Sequence, residues 1–214
     1  MEAEVKRYLN NFAPRPIADA LSGRKLMPGY SYMLPDIDQS LTASKRIEIT
    51  PSRYVANHGF PLAAQEAVLR KLGANPLAGY FFCGPTGTAK TFLLWALLQE
   101  AVYANRRVIY CTAGQLARLM SSQRDEDTAE IEAIKAPELW MGSPVHIYID
   151  ELDSIPTREN TLRGLFEIIS ASYDTRLSVI SGASNAAPKD LEKIIGSASM
   201  RRLRDITTII KTSK

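Results

Sequence analysis

The feature that most constrains this chain is the run Gly84-Pro85-Thr86-Gly87-Thr88-Ala89-Lys90-Thr91. It comes straight off the apolar stretch Gly79-Tyr80-Phe81-Phe82-Cys83 and leads into Phe92-Leu93-Leu94-Trp95-Ala96-Leu97-Leu98. An apolar segment of strand length, a glycine-bearing turn and an apolar segment of helix length read as strand, phosphate loop and helix. Such a loop curls its backbone N–H groups around phosphates, and the helix behind it points its positive dipole end at them. The pattern predicts a site for a nucleoside triphosphate and Mg²⁺, built from Gly84, Pro85, Thr86, Gly87, Thr88, Ala89, Lys90, Thr91 and Phe92. Lys90 is expected to reach the β/γ-phosphates, and the Thr91 hydroxyl to ligate Mg²⁺.

Ala89 departs from the G-x-x-x-x-G-K-[ST] pattern, which has glycine there. Its Cβ adds bulk beside the phosphates. Gly84 and Gly87 remain, however, and alanine suits the first turn of a helix when the backbone there is already helical. The minichromosome maintenance helicases carry a similar Ala-Lys-Ser ending.

The 214 residues allow one sizeable domain and a small appendage, and a composition 45% hydrophobic and 23% charged is that of an ordinary soluble protein. No apolar run is long enough to span a bilayer, and Met1-Glu2-Ala3-Glu4-Val5-Lys6 has no signal-peptide character, so a cytoplasmic location without membrane attachment is expected. Cys83 and Cys111 fall in apolar strand-like stretches and read as buried thiols; His58 and His146 lack neighbouring ligands. A net charge of +3 does not by itself indicate nucleic acid. Residues 189–214 hold a local excess, seven Lys/Arg against three Asp/Glu.

Residues 1–48 stand apart. A short amphipathic stretch near Glu2–Phe12 is followed by Pro14, Pro16, Gly23, Pro28, Gly29 and Pro35, which break the chain into an arm or small helical module. From residue 49 to 214 the pattern is regular. Helical spacing covers Leu62–Leu72; strands are expected at Tyr80–Cys83, Arg107–Cys111, Val145–Ile149, Leu177–Gly182 and Ile206–Lys211. Helices are expected at Lys90–Ala104, Ala113–Ser121, Thr128–Ile134, Thr161–Tyr173 and Pro188–Ile195. This alternation predicts an α/β fold with a mainly parallel sheet between helices.

Three further features carry chemistry. The strand Val145–Ile149 ends in Asp150-Glu151. An Asp at the carboxyl end of a buried strand beside a phosphate loop is placed to hold Mg²⁺ with Thr91, and the carboxylate after it can deprotonate a water for attack on the γ-phosphate. That pairing points to hydrolysis, whereas a small-molecule kinase would position a substrate hydroxyl instead. Next, Ser184-Asn185 ends the fourth strand, and the Asn185 amide can bond both the γ-phosphate and the attacking water; Asn before Ala-Ala-Pro is equally a natural turn or cap. Finally, Ser199-Met200-Arg201-Arg202-Leu203-Arg204-Asp205 offers guanidinium groups of the kind that stabilise a phosphoryl group in flight, or simply a solvated basic helix face.

Taken in order, phosphate loop, Asp-Glu strand, Ser-Asn strand tip and Arg-Leu-Arg box resemble an AAA+ ATPase, and more narrowly the DnaC/IstB group of replicative helicase loaders and transposition helper ATPases. Ile49-Thr50-Pro51-Ser52-Arg53-Tyr54 resembles the Ile-Pro-x-Arg-Phe segment that precedes that core. Ile149–Leu152, Leu162–Ser172 and Arg176 resemble its Asp-Glu strand and following helix, and Gly196–Arg204 its arginine box, with Arg202 at the finger position. Ala198 departs, standing where loaders of this group often have another arginine.

The resemblance spans roughly residues 49–211. It implies an AAA+ three-layer sandwich with a five-stranded sheet, a short N-terminal arm and no C-terminal lid domain. It implies an ATPase with Lys90, Glu151, Asn185 and Arg202 as catalytic residues and Thr91 and Asp150 at the metal. Assembly into a ring or spiral on DNA, taken as single-stranded, goes with it, as does capture of a replicative helicase by residues 1–48. An IstB-like helper recruiting a transposase and a weakly hydrolysing nucleotide switch are the alternatives, with a metabolite kinase behind them. The acidic run Asp125-Glu126-Asp127 and Glu130-Ile131-Glu132 suits phosphates poorly, leaving the basic C-terminal box as the candidate DNA contact.

Overall fold

The computed structural model describes residues 71–212 except 89, 105, 123 and 137–141. The expectations for residues 1–48, for the 49–54 segment and for most of the Leu62–Leu72 helix lie outside the described residues, as does Ala89. The described order is β1 (Tyr80–Cys83), α1 (Lys90–Tyr103), β2 (Val108–Thr112), α2 (Ala113–Ser121), α3 (Asp125–Lys135) and β3 (Val145–Asp150). After a 3-10 turn at Leu152–Ser154 come α4 (Glu159–Thr175), β4 (Ser178–Ser184), α5 (Pro188–Ile195), α6 (Ser197–Ile206) and β5 (Thr208–Lys211).

The five strands form one sheet in the order β2-β3-β4-β1-β5, with every pairing parallel. Strands β1 to β3 are largely apolar sequence, as strands covered on both faces must be, and β4 adds only small residues to its Val179 and Ile180. Side chains alternate between two helical layers. Phe81, Cys83, Ile109, Cys111, Ile147, Ile149 and Ile180 share a core with Leu116 and Leu119 of α2, Ile131 of α3, Leu165 and Ile168 of α4, and Met200 and Leu203 of α6. On the opposite face Tyr148 donates its hydroxyl to the Leu97 carbonyl of α1 at 3.2 Å, and the Tyr110 ring sits 4.6 Å from that of Trp95. The result is the expected three-layer sandwich.

Strand β1 and helices α2 and α5 have the predicted bounds. Thr112 and Gln115 start α2 with a reciprocal capping box. Elsewhere the ends moved for identifiable reasons. Strands β3 and β4 run on through Asp150 and Ser184 because Thr112 and Cys83 on the neighbouring strands still offer ladder partners there. Helix α3 begins at Asp125 rather than at Thr128, since acidic residues in a first turn suit the helix dipole. The arginine box is a helix of its own, α6, and β5 starts only at Thr208.

The strand order also places β4 between β1 and β3, so the phosphate-loop strand and the Asp-Glu strand are next-nearest neighbours. Because all strands run the same way, the ends of β1, β3 and β4 open at one edge of the sheet, where a parallel α/β fold presents its ligand crevice.

Candidate nucleotide site

The loop after β1 is shaped by its glycines. Gly87 has φ +82°, in the left-handed region that a side chain strains. A Cβ on Gly84 would fall 2.1 Å from the Thr212 carbonyl oxygen just beyond β5, so only glycine fits there. The loop is tied down on both sides: the Gly84 N–H donates to the Ser184 carbonyl at 3.2 Å, the Thr212 N–H to the Cys83 carbonyl at 2.7 Å, and the Thr88 and Thr212 hydroxyls lie 2.6 Å apart.

Lys90 opens α1 and is 6% exposed. Its Nζ donates to the Pro85 carbonyl at 2.8 Å, across the mouth of the loop. Burial lowers its pKa, and the carboxylates of Asp153 and Asp150 oppose that by favouring the ammonium form. The Phe92 side chain is outside the described residues.

Asp150 ends β3, buried. Burial raises its pKa, and three hydrogen bonds to the carboxylate pull the other way: from the Thr91 side chain, the Glu151 N–H and the Tyr110 hydroxyl. The last two measure 2.9 and 3.2 Å. Glu151 is held at φ 54°, ψ 42°, left-handed for a residue with a Cβ. Its carbonyl accepts both the N–H and the hydroxyl of Ser154, each at 2.8 Å. Backbone in this region costs free energy and persists where the surroundings over-determine it; here it turns the Glu151 side chain toward the loop mouth.

Across from it, the tip of β4 is held by a group that sequence reading passed over: the Asn185 N–H donates to an Asp153 carboxylate oxygen at 2.6 Å. Thr86, Gly87, Lys90, Thr91, Asp150, Glu151, Ser184 and Asn185 together line one cavity of about 230 Å³. Four of the expected loop residues, Thr86, Gly87, Lys90 and Thr91, thus share an opening with Asp150, Glu151 and Asn185, whereas Gly84, Pro85 and Thr88 are not in its lining. Tyr110, Asp153 and Thr212 were missed, because each depends on strand order that no local pattern reveals.

The donor set fits Mg²⁺ with a triphosphate: a hydroxyl and a carboxylate, hard oxygen donors bonded to each other, beside a lysine. Among the described residues no three His, Cys, Asp or Glu side chains cluster into a metal cage, and Mg²⁺ ordinarily needs only one or two protein ligands beside phosphate and water.

Arg202 does not line this cavity. Half-buried on α6, its guanidinium stacks on Phe166, 4.6 Å from the ring centroid, and lies 5.8 Å from that of Tyr173. Its Nε is buried without a hydrogen-bond partner. Arg204 pairs with Glu192 at 2.9 Å, whereas Arg201 is exposed. Cys83 and Cys111 are buried free thiols, as expected, and among the described residues no helix is long and apolar enough to cross a membrane.

Comparison with known proteins gives the same fold. The family model described as IstB-like ATP binding protein matches residues 78–202. No curated protein sequence matches the chain significantly. Among solved structures, the DnaC helicase loader aligns at 18% identity and TM-score 0.59, over 75% of this chain and 99% of its own. DnaI aligns at 16% identity and TM-score 0.57, over 77% and 95%. AMPPCP-bound DnaA from Aquifex aeolicus aligns at 20% identity and TM-score 0.59, over 77% of this chain but 51% of its own, so the match spans about half of that protein. The fold is thus the AAA+ phosphate-loop fold.

Proposed function

We propose, from the premise that this chain belongs to the IstB-like ATP-binding family, that it is an Mg²⁺-dependent ATPase acting on DNA as a loader of a replicative helicase. The observation that carries the ATPase reading is the convergence of Lys90, Thr91, Asp150, Glu151 and Asn185 on one cavity. Lys90 sits at its mouth to bind the β/γ-phosphates, and Thr91 and Asp150 would hold the metal. Bound Mg²⁺ supplies charge neutralisation across the phosphate oxygens. Glu151 takes the proton of the attacking water, and the Asn185 amide aligns that water with the γ-phosphate. Arg202, outside its own cavity, is assigned to the γ-phosphate of a neighbouring subunit in a ring or spiral.

The loader reading draws on the size match: alignment spans nearly all of the DnaC helicase loader and DnaI chains. One observation favours a second reading. The matching family is the IstB-like one, which suits a helper that brings a transposase to target DNA. In both, residues 1–48 are the docking arm, since among the described residues the ATPase core carries no feature specific to either partner.

Co-purification separates the two. Full-length chain and a 49–214 fragment are each mixed with the cognate replicative helicase and with the transposase, in ATP. Capture of the helicase by full-length chain alone supports the loader reading; capture of the transposase alone replaces it with the helper reading. A fragment that binds either partner with full affinity removes residues 1–48 from docking.

A further inference from the structure

Asn185 stands one residue past the point where β4 has a ladder partner, since β1 and β4 pair only as far as Cys83 and Ser184. Its backbone N–H would be unsatisfied there. The group that takes it is the Asp153 carboxylate, at 2.6 Å. Asp153 is itself on a braced element, the 3-10 turn after Glu151. That turn is anchored by buried Leu152 and closed by the paired Ser154 bonds to the Glu151 carbonyl.

The geometry points to Asp153 as a positioning residue that locks the Asn185 tip of β4 to the turn bearing Glu151, setting the distance between these two side chains. The inference rests on the ATPase reading for its kinetic consequences. Asp153 does not line the cavity, and so acts through Asn185 rather than on the nucleotide. Its carboxylate is nonetheless a negative charge close to the site, two residues after Glu151 and hydrogen-bonded to the Asn185 N–H. Removing that carboxylate therefore has two separable effects. Asn185 loses its anchor, which lowers turnover. The phosphate site loses a nearby negative charge, which leaves ATP binding as tight or tighter. A residue that merely supported the fold would weaken both together.

The test compares wild type with Asp153→Ala, Asp153→Asn, Asn185→Ala and Asp153→Ala/Asn185→Ala. ATP affinity is measured by fluorescent-nucleotide titration, kcat by steady-state turnover, and the Asn185 amide by ¹H–¹⁵N correlation spectra of the ¹⁵N-labelled full chain. Removal of a second-layer partner typically costs about tenfold or more, so Asp153→Ala is expected to lower kcat about tenfold with no loss of ATP affinity. Asp153→Asn keeps an acceptor oxygen and should recover most of kcat. The double variant should be no slower than Asn185→Ala, because both substitutions break one device. The Asn185 amide proton should move upfield in Asp153→Ala, having lost a carboxylate partner.

Wild-type kcat in Asp153→Ala, multiplicative losses in the double variant, or an unmoved Asn185 amide would each overturn the inference. If Asp153→Ala does not fold, Asp153→Asn decides: loss of kcat equal to that of Asn185→Ala, with the Asn185 amide unmoved, overturns it. A wild-type protein that binds ATP without turning over would sink the ATPase reading instead, and the amide shift and the ATP affinities would still decide the role of Asp153.

Discussion

Glu151 occupies a backbone conformation that glycine would adopt freely, φ 54° and ψ 42°, at the place where the proposed chemistry requires a general base. The cost for a residue with a Cβ is about 1 kcal/mol. Glu151→Gly should therefore stabilise the fold by about that amount while abolishing turnover, measured by denaturant unfolding and phosphate release. Glu151→Gln should retain ATP binding and lose turnover by about 10²-fold or more, the contribution of a general base. Lys90→Ala should instead abolish ATP binding in the same titration, because it removes a phosphate contact rather than the base. A Glu151→Gln protein turning over at the wild-type rate would exclude Glu151 from the chemistry. The residues named here were legible in the sequence because motif order assigns them. Their supports were not: Tyr110 reaches Asp150 only because β2 lies beside β3, and Thr212 reaches the loop only because β5 lies beside β1.

At the scale of elements, β3 carries both the Asp-Glu end and a buried histidine. His146 is 3% exposed, and burial, reinforced by the positive charge of Arg106, lowers its pKa to about 4. The native state keeps the imidazole neutral while the unfolded chain protonates it near pH 6.5, so stability is intact above that pH and falls as pH drops toward 4. Between pH 7 and pH 5 this one group should remove about 2 kcal/mol. His146→Phe should flatten the slope of unfolding free energy over that window, read from denaturant melts at each pH; an unchanged slope would show that other groups govern it. The alternation of buried strands and helices was readable because β1, β2 and β3 are short, largely apolar runs and α2, α4 and α5 are amphipathic. Strand order was not readable, since apolar runs of similar length carry no label for their neighbours. The arginine box could be read as a solvated basic helix face, and it is a helix, α6, but one in which Met200 and Leu203 are buried.

For the whole molecule, the arrangement of charge argues for more than one subunit. Among the described residues, Lys90 is the one cation lining the cavity, and no arginine lines it. A phosphoryl group in flight gathers negative charge that a guanidinium stabilises by a factor of about 10³ to 10⁵. Arg202 is aimed elsewhere, its guanidinium fixed against Phe166 and near Tyr173 with Nε unpaired. Stacking of this kind restricts the side chain without neutralising it, leaving the charge available to an incoming anion. If that anion is the γ-phosphate on a second copy, an isolated subunit should bind ATP but turn it over slowly, and specific activity should rise with protein concentration or on DNA. Arg202→Ala should bind ATP with wild-type affinity and be nearly inactive. Mixing it with Lys90→Ala should restore part of the turnover, since one protein brings an intact nucleotide site and the other an intact arginine. Turnover is measured across mixing ratios while light scattering follows assembly. An absence of rescue at concentrations where mixed oligomers form would mean that Arg202 serves its own chain, as a stacked strut between α6 and α4, and that the cavity gains its second cation from another residue.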